Sequence, residues 1–337
     1  MITPKDRLLK TMEGLSVDRP PVVCPGGMMN MVFEELMNIS STYLPEAHSD
    51  SRKMANLAKA IVENNCFENY GVPFCMTVEA ENMGSVIDMG STIYEPHVVE
   101  YLLKSVSDLD RLPKIDFEKG RVKTVLEAIR ILKEKNESIP VIGNITGPIS
   151  LGTSIIDPVT FYKEMRKKPK EMHEFLKFIT DELISFSLEM LNCGAEIIAI
   201  SDPSGTGEIL GPKPFDEYLV KYMNLLLEEI KKAGGYTMVH ICGQMRNVYD
   251  EVNKLTADVL SFDSMVNYKE AKAKLGDRIL MGNVGTYALE FGDTKTIRRL
   301  TRSCINNGAS ILSPACGIGM KSPYKNISSI LGEVNEN

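Results

Sequence analysis

His240 and Cys242 in VHICG, and Cys316 in SPACGIG, are the residues of this chain whose types and spacing could do chemistry. Each lies where a hydrophobic run gives way to a glycine turn. Residues two apart on a strand point to the same side, so Met238, His240 and Cys242 share one face while Val239 and Ile241 take the other. One imidazole and two thiolates are a donor set typical of a catalytic zinc, whose fourth position stays open for water or substrate. Soft sulfur ligands argue against magnesium or calcium. The plain alternative is a core histidine beside small hydrophobic thiols, and so short a pattern does not choose between the two without structural context.

What must position these residues is legible in the rhythm of the chain. Short apolar, β-branched runs alternate with longer amphipathic ones, the pattern of a parallel sheet with helices outside it. The expected strands are Pro21 to Cys24, Asn69 to Phe74, Pro140 to Asn144, Glu196 to Ile200, Tyr236 to Ile241, Val259 to Phe262, Ile279 to Gly282 and Ser310 to Leu312, eight in all. Expected helices include Arg121 to Lys135, Pro169 to Asn192, Pro214 to Lys232, Met245 to Leu255 and Thr294 to Asn307, several followed by a glycine such as Gly194, Gly234 or Gly308 that suits a helix C-terminus. Eight strands with intervening helices predict an α/β fold, a (β/α)8 TIM barrel, as one domain over 1–337. Residues 1–20 do not fit the repeat and read as an N-terminal helical extension, and residues 84–113 read as an inserted hairpin or lid.

Almost every expected strand ends in a polar residue near Gly or Pro: Asn144 in IGNITGP, Asp202 in ISDPSG, His240 and Cys242, Asp263 in SFDS, Asn283 in MGNVG, and Cys316. Barrel enzymes keep their chemistry at this C-terminal rim, where loops vary while the barrel stays packed. These ends are therefore expected to converge on one pocket. Each has a plainer reading beside the functional one. Asp202 is either a pocket group or a turn Asp bonding its own backbone, Asp263 is equally a helix N-cap, and Asn144 and Asn283 either bind substrate or serve turns. His48, His97 and His173 sit among charged or loop residues and are expected at the solvated surface.

Composition excludes several classes. The chain of 337 residues is 43% hydrophobic and 25% charged, with a net charge of -7, so a phosphate backbone would be repelled and nucleic acid is not an expected partner. No stretch approaches the roughly 18 apolar residues of a membrane span, and the N-terminus lacks an apolar signal core, so a cytoplasmic protein is expected. Seven cysteines at irregular spacing do not suggest a disulfide framework.

HICG at 240 to 243 followed by SPACGIG at 313 to 319 resembles the zinc-dependent methylcobamide:coenzyme M methyltransferases of the uroporphyrinogen decarboxylase superfamily. Supporting matches are TPKDRLLKTMEGLSVDRPPV, PEAHSDSRKMANLAKA, GVPFCMTVEAENMG, IPVIGNITGPISLGTS and GAEIIAISDPSG, so the resemblance spans nearly the whole chain. It implies a barrel in which zinc binds and activates the thiol of a small coenzyme, which then accepts the methyl group of a methylated corrinoid carried on a separate protein. Two cysteine thiolates offset the charge of zinc and keep a third sulfur nucleophilic. No histidine has an Asp two residues before it, so the Asp-x-His-x-x-Gly of corrinoid-binding proteins is absent from the sequence and the corrinoid is expected on a partner.

By this resemblance His240, Cys242 and Cys316 are the metal ligands. Asp263 stands where the family has an acidic residue that completes the zinc shell without substrate, although it is one methylene shorter than Glu. Asp202 is the second candidate catalytic residue, and Glu81, Asn144 and Asn283 are candidates for substrate binding. Glu81 matches a family Glu, whereas Glu79 occupies a position often apolar there, and either could be a solvated loop charge. The expected acceptor is coenzyme M, with homocysteine or tetrahydrofolate as alternatives, because the strand ends named above offer no basic residue for a sulfonate. A porphyrinogen decarboxylase of the same fold is disfavoured, since the segment after the first strand, CPGGMMNM, has no Arg. A non-catalytic zinc module that docks a corrinoid protein would require a fourth, permanent ligand.

Overall fold

The computed structural model describes residues 2–336. Its strands, in chain order, are β1 (Tyr70–Val72), β2 (Val86–Asp88), β3 (His97–Glu100), β4 (Val141–Thr146), β5 (Ile197–Ser201), β6 (Tyr236–Ile241), β7 (Val259–Phe262) and β8 (Ile279–Met281). Six form one sheet in the order β1-β4-β5-β6-β7-β8, every pair parallel. Burial explains the sequence of these strands: β4, β5 and β7 are buried throughout and mostly apolar, as strands covered on both faces are, with Asn144, Thr146, Ser201 and Ser261 as buried polar residues among them. Gly143 shows how closely the outer layer packs, for a Cβ there would lie 2.7 Å from Sδ of Met190, on the helix Pro169–Asn192.

The two remaining expected strands, 21–24 and 310–312, lie in sequence as barrel positions but pair only through single parallel bridges, Met281 with Ile311 and Val22 with Leu312. Leu312 accepts from the Val23 N–H and donates to the Pro21 carbonyl, both at 2.9 Å, and the Glu68 N–H donates to the Val22 carbonyl at 2.9 Å. The hydrogen-bonded circuit therefore runs from β8 through residues 311 and 312 to residue 22, and on to the segment entering β1. Side chains stand in for part of the missing ladder. The Asn69 carboxamide bonds both the N–H and the carbonyl of Cys24, at 2.9 and 2.8 Å, and the Glu68 carboxylate accepts from the Val22 N–H at 3.0 Å. Pro20, Pro21 and Pro314 bracket these runs and have no N–H to give a ladder.

The N-terminal extension forms the helix Pro4–Met12, capped by Thr3. Its buried Arg7 bonds Asp18 and Glu68, and Arg19 bonds Glu68 as well, which ties the extension to the strand positions beside β1. The segment 84–113 contains the antiparallel hairpin β2–β3 and a short 3-10 stretch, Val106–Arg111. Gly194, Gly234 and Gly308 all adopt positive φ after their helices, as the sequence predicts.

Two expected helices differ. Pro214 to Lys232 is helical throughout, but its first part, Phe215–Val220, is π-helical before the α-helix Lys221–Lys232. Met245 to Leu255 reduces to a single helical turn, Tyr249–Val252, preceded by a non-helical turn at 246–248. His48 also departs from expectation: it is 1% exposed, not solvated, and burial followed by the charge of Arg121 pushes its pKa down to about 3. His173 is half-buried, with Nδ1 at 2.9 Å from the Tyr222 hydroxyl. Among the described residues no helix is long and apolar enough to cross a membrane.

Candidate metal centre

His240 lies near the C-terminal end of β6, Cys242 follows directly after it, and Cys316 sits in the loop after residues 311 and 312. The parallel register sets His240 opposite Ser261 of β7. The Ser261 Oγ lies 3.0 Å from Nδ1 of His240, while Nε2 is 3.3 Å from Sγ of Cys242. The ring is thus held with Nε2 toward the sulfurs. Gly243 takes positive φ immediately after the ligand, and a Cβ there would lie 2.4 Å from the Glu208 carboxylate, so only glycine turns the chain at this point without displacing Glu208.

The ligand atoms of His240, Cys242 and Cys316 all lie within 4.8 Å of one another, and among the described residues no other His, Cys, Asp or Glu completes the group. His240 is buried, whereas both cysteines are partly exposed. The two thiols differ in electrostatics. The neighbouring Cys242 thiol and then the His240 ring, opposed by burial, hold Cys316 well below the ordinary thiol range. The same contact with Cys316, then burial and the charges of Cys316 and Asp263, push Cys242 well up. One sulfur of the pair therefore ionises more readily than the other. Two soft sulfurs with an oriented imidazole fit a metal ion of the zinc type, and the partly exposed cysteine side leaves room for a further ligand.

The other residues singled out from the sequence have defined tasks. The Asp263 carboxylate accepts from the Met265 N–H at 2.9 Å in a local turn, and it is near enough for its charge to act on Cys242. Asp202 is buried and accepts from the N–H groups of Ile149 and Ser150 and from the Ser150 hydroxyl, at 3.0, 2.7 and 2.6 Å. It thereby caps the helix Pro148–Ile155, and burial outweighs those bonds to push its pKa up to about 6. Asn144 gives its amide to the carbonyls of Pro25 and Val72, at 2.6 and 3.2 Å, and packs against Gly26 and Gly27. Asn283 donates to the carbonyls of Asp263 and Val266, bracing the Asp263 loop. Glu81 is bound to Arg121 Nε at 2.5 Å. The structure therefore joins the three metal-ligand candidates and sets Asp263 beside them, while the others shape surrounding loops.

A model of the uroporphyrinogen decarboxylase (URO-D) family matches residues 3–337. This chain belongs to the uroporphyrinogen decarboxylase family. Within it, the chain is 31% identical over 331 residues to a methylcobamide:CoM methyltransferase of Methanosarcina acetivorans, covering 98% of this chain and 96% of that protein. It is 30% identical over 338 residues to a methylcobamide:CoM methyltransferase of Methanosarcina barkeri, covering 99% and 98% respectively. A solved methyltransferase from Methanosarcina mazei superposes with a TM-score of 0.93 at 28% identity, covering 100% of this chain and 99% of that one. The TIM-barrel fold expected from the strand rhythm is the fold of this family member.

Some residues at the site escape a reading based on motifs. Ser261 was open to recognition as the one polar residue inside the run VLSF, two before Asp263 and so on the same face. Glu79 is 2% exposed and its carboxylate accepts from the Thr146 N–H at 2.8 Å, so it is a buried brace and not a solvated charge. Glu95, from the hairpin insertion, receives a hydrogen bond from Asn30 at 3.4 Å. Although the residue is solvent-exposed, partial desolvation and then the charge of Cys316 push its pKa up. The insertion thus reaches the metal side of the barrel, a placement no local pattern announces.

Proposed function

We propose that this chain transfers a methyl group from a methylated corrinoid, carried by a separate corrinoid protein, to the sulfur of a small thiol, with coenzyme M as the acceptor. The observation that carries this reading is the trio of His240, Cys242 and Cys316 at the barrel mouth, two soft sulfurs partly exposed beside a buried and oriented imidazole. Zinc held by these three residues would supply Lewis acidity that lowers the pKa of the acceptor thiol. The names of the relatives support the same chemistry, since they are methylcobamide:CoM methyltransferases.

The chain's own residues set the conditions. Ser261 fixes the His240 ring, and Asn283 together with the turn at Met265 fixes the Asp263 carboxylate beside Cys242. We place Asp263 nearest the reaction, as the acidic group whose charge reaches a ligand. Asp202 and Asn144 hold the loops after β4, β5 and residue 24 in shape, and Glu81 does so through Arg121. In the transfer the acceptor S–H loses its proton to solvent, a C–S bond forms, and the C–Co bond breaks with both electrons left on cobalt as Co(I). The products are a thioether and a reduced corrinoid.

The test is an acceptor screen with free methylcobalamin and coenzyme M, homocysteine or tetrahydrofolate, followed by the cobalt spectral change. Turnover greatest with coenzyme M is expected. No turnover with any of the three overturns the proposal, and turnover confined to another acceptor replaces coenzyme M.

A further inference from the structure

Three of the most exposed large apolar side chains lie on adjoining loops at the metal end of the barrel: Met265 at 59%, Tyr287 at 78% and Phe291 at 67%. Tyr287 and Phe291 are four apart on the helix Thr286–Phe291, so they share a face, and their ring centroids are 4.8 Å apart. This helix is tied to the Cys316 loop. Val284, just before it, donates to the Ser313 carbonyl at 3.0 Å and accepts from the Ala315 N–H at 2.8 Å, next to the ligand itself. On the inner side of the same helix Glu290 presses on Gly319, where a Cβ would lie 2.0 Å from its carboxylate.

Met265 is tied to the other sulfur. The Gln244 carboxamide, two residues beyond Cys242, donates to the Met265 carbonyl at 2.9 Å. Neighbouring Ser264 lies within 3.6 Å of where a Gly285 Cβ would be, which brings the Met265 loop against the start of the Tyr287 helix. The exposed apolar surface is thus flanked by the loops of both cysteine ligands. Solvent-facing aromatics that pack on each other mark a binding surface when they cluster beside a reactive centre.

We propose that Met265, Tyr287 and Phe291 form the seat for the corrin ring of the methyl donor. This rests on the methyl-transfer reading above. A corrin is a broad macrocycle with its transferable methyl on one axial position. To present that methyl to a sulfur at the mouth, the methyl-bearing face must look into the barrel, so the periphery of the ring has to rest on the rim. A rigid aromatic pair and a polarizable methionine supply contact area for such an edge at little conformational cost. None of the three side chains is charged, so this part of the binding is insensitive to ionic strength.

The experiment uses the full-length, zinc-loaded protein with free methylcobalamin and coenzyme M. In Tyr287→Ser/Phe291→Ser the KM for methylcobalamin is expected to rise at least about 10-fold, while KM for coenzyme M, metal content and thermal midpoint stay as in the parent. Tyr287→Leu, which keeps apolar area, should retain most of the affinity. An unchanged KM for methylcobalamin in the double variant overturns the seat, and so does light scattering that shows the double substitution dissolving a dimer, since a second copy would then be the occupant. If the parent protein shows no turnover, the methyl-transfer reading fails. Equilibrium dialysis of methylcobalamin then decides the seat separately: equal binding, or none, by parent and double variant overturns it.

Discussion

The Ser261 hydroxyl lies 3.0 Å from Nδ1 of His240, across the register that pairs these two residues of β6 and β7. The hydroxyl can accept a hydrogen bond from Nδ1–H, which leaves Nε2 as the lone-pair nitrogen on the side of Cys242 and Cys316. Partners of this kind set the tautomer and orientation of a metal-binding imidazole.

Ser261→Ala is therefore expected to weaken metal binding about 10-fold without abolishing it, because the ring keeps its strand position but loses its orienting bond. Competition with a chromophoric chelator reads the affinity directly. An affinity equal to that of the parent would remove Ser261 from the centre.

His240→Ala and Cys316→Ala remove donors outright. The parent is expected to hold one zinc per chain and each variant almost none, by elemental analysis after gel filtration. Both substitutions sit at the partly open end of the barrel, so circular dichroism should stay close to that of the parent. Full zinc content in both variants would refute the ligand assignment.

The unequal thiols make a prediction for chelator-treated protein. The neighbouring Cys242 and His240 side chains hold Cys316 well below the ordinary thiol range while the same contact pushes Cys242 up, so Cys316 is the first of the pair to ionise. Thiolates are the reactive form, and the five remaining cysteines are buried. Iodoacetamide at pH 6 should thus alkylate Cys316 first, and added zinc should protect it. Peptide mass spectrometry showing Cys242 modified ahead of Cys316 would reverse the assignment of the anionic sulfur.

The parts of this molecule legible in the sequence are those written locally. β6 and β7 begin and end where their apolar runs do, and the rim position of His240 and Cys242 follows from the run Tyr236–Ile241 ending in a glycine turn. The metal trio was also within reach, since its donors are chemically distinctive. What stayed hidden depends on contacts distant in sequence. His48 sits among polar neighbours in the chain, yet tertiary packing buries it near Arg121, and nothing local reports that. Asn144 lies inside β4, which runs on to Thr146 instead of ending there, and Asn283 lies two residues past β8; their amides go to backbone carbonyls over separations of 119 and 20 residues, a use that only the folded barrel defines. The turn at 246–248 interrupts a helical periodicity, and Gln244 just before it bonds the Met265 carbonyl.

Asp202 provides a prediction in which pH separates a structural from a reactive role. Burial raises its pKa from the ordinary 3.8 to about 6, against the opposing bonds from Ser150 and Ile149. Between about pH 4 and 6 the folded chain thus binds more protons at this position than the unfolded chain. Stability contributed by Asp202 is fully present below pH 4 and falls as pH rises toward 6, by on the order of 1–3 kcal/mol. Asp202→Asn stays neutral and keeps one oxygen to accept from the cap of the helix Pro148–Ile155, so urea denaturation of the metal-free variant should lose that decline between pH 4 and 6. The parent and the variant are compared without metal because ligand protonation at Cys316 and Cys242 would impose a slope of its own. If the two proteins change stability in parallel across this range, Asp202 titrates alike in the folded and unfolded chains and its buried bonds offset its desolvation.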